Sequence, residues 1–197
     1  MRRDLDQTEP TIRVIAEYVG SRVVVRQEVV QLDDGNESTR DVIYHPNSIV
    51  VLPVDEDQNI VMVRQFRKAA GMKLLELPAG VVENDTSLLD AARRELREET
   101  GLNAGRLLLL GDFYAAPGTL TERLYAYYAD ALYVDPLPAD HDERIIVERY
   151  GLMQLIINQL NMGILPTVTE ALLYQFGSTY APAYCQFSLT EMTDVRK

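Results

Sequence analysis

Cysteine is nearly absent from this chain. Cys185 is the only one among 197 residues, so no intramolecular disulfide can form. That usage fits a reducing compartment, and a cytoplasmic location is the expectation. The opening stretch from Met1 to Pro10 is charged and carries no apolar segment, so it does not read as a secretory signal. Long hydrophobic runs are missing too: none approaches the ~20 residues needed to cross a bilayer, and no membrane partner is expected. Positive charge is scarce, with 19 Lys and Arg against 30 Asp and Glu and a formal charge of −11. Such a field repels nucleic acid and anionic lipid, so neither is an expected partner. It repels phosphorylated metabolites as well, so a phosphate substrate would need local arginines or divalent cations to offset it. Internal repeats and low-complexity segments are also lacking.

What is there is ordinary globular text, 47% hydrophobic and 25% charged. The length suits one domain, or one domain with a small appended subdomain, and can bury a core without covalent staples. Thr11 to Val54 reads as strands. Arg22–Leu32 is rich in Val, Asp33-Asp34-Gly35-Asn36 is a hairpin-type turn, and Arg40–Tyr44 is a second β run. Ser48–Val54 and Asn59–Phe66 follow, split by the polar turn Asp55–Gln58. A boundary near Pro46-Asn47 would set residues 1–45 apart as a small antiparallel β subdomain. The main domain would then run over 46–177, with a tail over 178–197. Within the main domain, Leu74–Leu77 reads as a short strand. Further strands are expected at Arg106–Phe113, Glu122–Leu132 and Arg144–Glu148, and helices near Leu152–Asn161 and Val168–Phe176.

Ser87–Thr100 is the clearest helix, with Asp85, Thr86 or Ser87 available to cap it and Gly101 to stop it. On a wheel of ~100° per residue, Ser87, Asp90, Arg93, Arg94 and Arg97 gather on one side, a solvated face. The other side carries Leu88, Ala91, Ala92 and Leu102, flanked by Leu89 and Leu96. Glu95 and Glu99 fall in the middle of that apolar side, and Glu98 lies near its edge. Burying even one unpaired carboxylate costs several kcal/mol, and neighbouring ones repel each other. Either arginines from elsewhere pair with these acids, or a hard cation such as Mg²⁺ or Mn²⁺ sits among them, since such ions prefer oxygen ligands. Glu95 and Glu99, at i and i+4, can reach one ion. The inward placement favours the metal.

The same residues carry a family resemblance. From Gly80 through Arg94-Glu95-Leu96-Arg97-Glu98-Glu99-Thr100-Gly101-Leu102, the chain resembles the Nudix box G-x5-E-x7-R-E-U-x-E-E-x-G-U. Six identities (Gly80, Arg94, Glu95, Glu98, Glu99 and Gly101), at roughly 7% per residue type, arise by chance about once in 10⁷ starting points. One position departs: Thr86 stands where the box has its first Glu, a residue that mostly supports the loop–helix motif in the family. The resemblance implies an α/β fold, a Nudix α/β/α sandwich around a central mixed sheet. It implies metal ligation by Glu95, Glu99 and the Ala79 carbonyl, with Glu98 nearby among the catalytic residues and Arg94 orienting the glutamates. Two or more Mg²⁺ (or Mn²⁺) ions would be the cofactors.

Beyond the box, Val63-Arg64-Gln65-Phe66-Arg67, Leu75-Glu76-Leu77-Pro78-Ala79-Gly80, Ala116-Pro117-Gly118 and Thr121-Glu122-Arg123 look like the ADP-ribose pyrophosphatase branch of that family. By that likeness Arg64, Arg67, Glu76 and Gly118 would approach substrate, the arginines across a dimer interface if need be. Taken alone, Arg64 and Arg67 also read as an exposed edge-strand pair, and Glu76 equally as a strand salt-bridge partner. Asp140-His141-Asp142-Glu143-Arg144-Ile145 resembles the acidic loop that supplies the general base. Glu143 aligns best, with Asp142 second, and His141 is not read as a ligand. The implied activity is Mg²⁺-dependent hydrolysis of the pyrophosphate of ADP-ribose or a related nucleoside diphosphate sugar, giving AMP and ribose 5-phosphate. GDP-mannose and UDP-glucose are the alternative substrates. A non-catalytic nucleotide-sugar sensor is the alternative from outside enzymes, which Thr86 favours and the retained glutamates oppose. The N-terminal sheet would serve a homodimer.

Overall fold

The computed structural model describes residues 8–83, 87–139 and 144–152, together with Gln154, Leu155, Thr169 and Leu172. Thr86, the stretch Asp140–Glu143, most of the two helices expected after Leu152, and the tail lie outside the described residues. The chain divides into two compact units, one of Met1–Ser48 with Asp112–Leu124, the other of Ile49–Gly111 with Tyr125–Lys197.

The first unit is built on an antiparallel sheet of β1 (Thr11–Val19), β2 (Val24–Gln31) and β3 (Glu37–Tyr44), in the order β1-β2-β3. The expected turn closes β2 onto β3. Leu32 N–H donates to the Asn36 carbonyl at 2.8 Å, Asp34 accepts from Asn36 N–H at 2.9 Å, and Gly35 takes the left-handed φ of +84° that the turn requires. Between these strands lies Glu28, only 4% exposed, which accepts from Thr11 Oγ1 at 2.7 Å and Tyr44 Oη at 2.6 Å. Those donors, the Tyr44 hydroxyl first, hold its carboxyl below the ordinary Glu value. Strand β1 is the edge, with register shifts between Thr11 and Arg13 and between Val14 and Ala16, and all nine of its residues are exposed. Asp112–Leu124 joins this unit through main-chain bonds: Ile43 N–H reaches the Thr119 carbonyl at 2.7 Å, and Thr121 N–H reaches the Ile43 carbonyl at 3.0 Å.

The second unit holds two further sheets and the helix. Strands β4 (Ser48–Pro53), β5 (Asn59–Arg67), β6 (Met72–Glu76) and β7 (Ala79–Val81) lead into helix α1 (Leu88–Thr100). Strands β8 (Leu102–Tyr114), β9 (Arg123–Val134) and β10 (Ile146–Gly151) follow. One sheet is mixed, with order β7-β4-β9-β8; the other is antiparallel, with order β10-β5-β6. The fold is therefore α/β. Every residue of β4 is buried, as its continuous apolar run requires of a strand covered on both faces.

Helix α1 is bounded as its ends dictate. Ser87 accepts from Asp90 N–H at 3.1 Å, and Gly101, at φ +73°, closes the C-terminus with its N–H on the Arg97 carbonyl at 3.0 Å. Ala91, Ala92 and Leu96 pack with Ile49, Val51, Ala104, Tyr127 and Ala129 into one core. The small alanines let the helix lie close to the sheet, while Leu96 inserts fully. Two readings of the wheel need amending. Leu89, placed beside the inner face, is exposed. The arginines of the outer face are not simply solvated. Arg93 donates to Asn103 Oδ1 and the Ala104 carbonyl, at 2.9 and 2.7 Å, and Arg97 donates to the Asp135 carbonyl at 2.9 Å. The helix is stitched to the start of β8 and the chain after β9 by the side that alternation marks as polar, because long guanidinium stems reach around a cylinder. The three-residue strand β7 was not expected at all; so short a segment has no periodicity to read. Strand β8 starts at Leu102 and not Arg106, since Leu102, Asn103 and Ala104 are buried in the sheet.

Candidate active site

Glu95 and Glu99 project from the inner face of α1 and are 8% and 6% exposed. Such burial is rare for carboxylates and demands partners. Glu99 Oε2 accepts from Ala79 N–H at 3.0 Å, and the Arg94 guanidinium donates to Glu95 Oε1 at 2.7 Å. Arg94 also reaches Glu98 Oε2 at 2.9 Å and the Val81 carbonyl at 2.9 Å. One guanidinium therefore ties two glutamates of α1 to strand β7. Gly80 lies directly against Glu95: a Cβ there would overlap the atoms of that carboxyl group. The glycine is needed for this close approach and not for an unusual φ.

Two buried acids held against one short strand place two carboxylates in one site, with the Arg94 guanidinium beside them. That arrangement fits a divalent cation. Mg²⁺ commonly takes one or two carboxylates and completes its shell with water and substrate phosphates. Among the described residues no group of three or more His, Cys, Asp or Glu side chains is placed to hold a metal ion. Of the described residues, Glu95 and Glu99 bring the carboxylate oxygens that a cation would use. Glu98, salt-bridged to Arg94, stands beside them.

The remaining expected residues fall in several places. Arg64 on β5 donates from Nε to Glu148 Oε1 at 2.5 Å and from Nη2 to Glu148 Oε2 at 3.2 Å, both on β10. Arg67 donates to Glu76 Oε2 at 2.8 Å across β5 and β6, so Glu76 is a strand salt-bridge partner here. Gly118 belongs to the other compact unit, in a turn where Thr119 and Leu120 N–H groups return to the Ala116 carbonyl. Glu143 and Asp142 lie outside the described residues. Sequence reasoning missed Glu148 and Tyr150. Alternation in β10 puts both on one face, but only the register of Ile146 opposite Arg64 shows which residue they serve.

The sequence model of the NUDIX domain matches residues 44–163. The chain belongs to the NUDIX family. An ADP-ribose pyrophosphatase of Bacillus subtilis is 32% identical over 178 residues, covering 90% of this chain and 92% of that protein. A methanol dehydrogenase activator of Bacillus methanolicus is 30% identical over the same shares. Among solved structures, that of an ADP compounds hydrolase superposes with a TM-score of 0.76, covering 85% of this chain and 91% of that one. Its 19% identity makes it a match of fold. The α1 glutamates, Arg94 and Gly80 all fall inside the matched NUDIX segment.

Proposed function

We propose that this NUDIX protein hydrolyses the pyrophosphate of ADP-ribose or a related nucleoside diphosphate sugar with Mg²⁺, releasing AMP and ribose 5-phosphate from ADP-ribose. The observation that carries the reading is the pair Glu95 and Glu99, buried against β7 where a Cβ at position 80 would displace the Glu95 carboxyl group. The name of the Bacillus subtilis relative, matched over 92% of its length, supports the substrate class. Glu95, Glu99 and the Ala79 carbonyl would hold the cation. When bound, it neutralises the diphosphate and polarises phosphorus, and so offsets a chain charge of −11 that otherwise repels the substrate.

The chain's own residues supply the rest. Arg94 fixes Glu95 and Glu98 in place, so little side-chain freedom is lost when substrate arrives. Arg64 and Arg67, three residues apart and so on opposite faces of β5, are the cations assigned to substrate, each held by a carboxylate of a neighbouring strand. Glu143, or Asp142 in its place, takes the proton of the attacking water as general base. Residues 1–45 form a dimerisation element. Ile12, Val14, Ile15, Tyr18 and Val19 are exposed along β1, more apolar surface than a lone edge strand usually shows to solvent.

The test is AMP release from ADP-ribose with Mg²⁺, with EDTA, and with Glu99→Gln. Mg²⁺-dependent release that falls in both controls is expected. Faster turnover of GDP-mannose or UDP-glucose on a substrate panel moves the assignment to that sugar nucleotide. No turnover on any of them overturns the enzyme reading.

A further inference from the structure

Arg64 is held more completely than any function so far given to it requires. Its Nε and Nη2 both meet the Glu148 carboxylate, at 2.5 and 3.2 Å, and Nη2 also lies 3.4 Å from Tyr150 Oη. Tyr150 Oη donates to the second oxygen of Glu148 in turn. The three side chains thus close a ring across β5 and β10, with Arg64 opposite Ile146, and Glu148 and Tyr150 two and four residues further along β10. The ring occupies one edge of the guanidinium. Nη1 makes no hydrogen bond among the described residues, and the Arg64 side chain keeps 26% of its surface exposed. Exposed Phe66 and Ile146 flank it, the first two residues along the same strand and the second directly across.

Any arginine paired with a single carboxylate leaves donors over; what is added here is the Tyr150 hydroxyl, which meets both partners and closes the ring on the same edge. Here carboxylate and phenol fix one edge and leave Nη1, with its two N–H groups, unused. We infer that Glu148 and Tyr150 are positioning residues: they lock the Arg64 guanidinium so that Nη1 meets an acceptor oxygen of the bound nucleoside diphosphate sugar. The inference rests on the function proposed above. A long side chain frozen before binding costs less on binding, which is the advantage of preorganisation. The Glu148 carboxylate balances the Arg64 charge, so the locked group contributes direction and hydrogen bonds more than net field. The perturbations agree with the geometry. The Glu148 carboxyl is held below its usual range by Arg64, and the Tyr150 phenol is pushed up by that carboxylate.

A double-mutant cycle decides the matter. Tyr150→Phe leaves the net charge of the protein unchanged, so its effect cannot come from the field. It is expected to raise KM for ADP-ribose three- to tenfold with kcat within twofold of wild type. Arg64→Ala is expected to raise KM more. Adding Tyr150→Phe to Arg64→Ala should cause no further rise, because the tyrosine acts only through the arginine. Calorimetric binding of a non-hydrolysable methylene analogue of ADP-ribose repeats the cycle in Kd, so the result does not depend on turnover. Failure of hydrolysis with the cycle intact in Kd would sink the proposed activity and leave the positioning role standing. Effects that simply add, or a Tyr150→Phe loss confined to melting temperature with KM and Kd unchanged, overturn the positioning role. So does wild-type protein that does not bind the analogue.

Discussion

At position 80 the backbone and the Glu95 carboxyl group share a space that a methyl group would fill. Gly80→Ala must therefore displace Glu95 or open β7 from α1. The expected outcome is a loss of at least tenfold in kcat/KM at saturating Mg²⁺, with a smaller loss of stability, read by steady-state kinetics and thermal melting side by side. Glu99→Gln should separate the two effects further. The amide oxygen can still accept from Ala79 N–H, so the fold is retained, but the ligand charge is gone. Its melting temperature should stay within about 4 °C of wild type, the shift that ~1 kcal/mol makes in a chain of this size, while Mg²⁺-supported turnover falls by more than tenfold. These residues were legible beforehand. A wheel of α1 turns Glu95 and Glu99 inward, and an acid on an apolar face has few explanations. The contact between Gly80 and Glu95 was not legible, because it joins residues on different elements through a backbone path that no periodicity encodes.

Elements show where local signals suffice. Ser87 caps α1 and Gly101 ends it, as side-chain chemistry and left-handed backbone geometry require. Gly101→Ala should cost roughly 1–2 kcal/mol, since φ of +73° crowds a Cβ, and a denaturant melt should show it with the slope unchanged. In the N-terminal sheet the signal is electrostatic. Glu28 is held ionised by Tyr44 and Thr11, so its pKa in the folded state lies below the ordinary value of 4.5. A depressed carboxyl contributes stability that is fully present above the unfolded value and is lost as pH falls through the folded one. Urea midpoints should accordingly drop below pH 4.5 in the wild type, and drop less in Glu28→Gln. An unchanged pH dependence in that variant would show that Glu28 carries no such linkage. Nothing in the sequence marked Glu28, because its neighbours Val29 and Val30 are buried too and conceal the alternation.

For the whole molecule the feature that bears on assembly is the bare strand β1. Its apolar side chains are exposed along an edge. The dimer proposed above predicts about twice the mass of 22.3 kDa by light scattering at micromolar protein, and a shift towards monomer on Ile15→Asp with Tyr18→Glu. A monomeric wild type would end that proposal. The sequence by itself determined the identity of α1, its glycine stop, its inward glutamates and most strand positions, since each rests on a few adjacent residues and a fixed period. Tertiary structure alone decided the order β7-β4-β9-β8, the partnership of Arg67 with Glu76, and the ring of Arg64, Glu148 and Tyr150. Those depend on which strands pair and in which register. Register is set by the summed burial of whole faces, so it becomes readable only when distant segments are brought side by side.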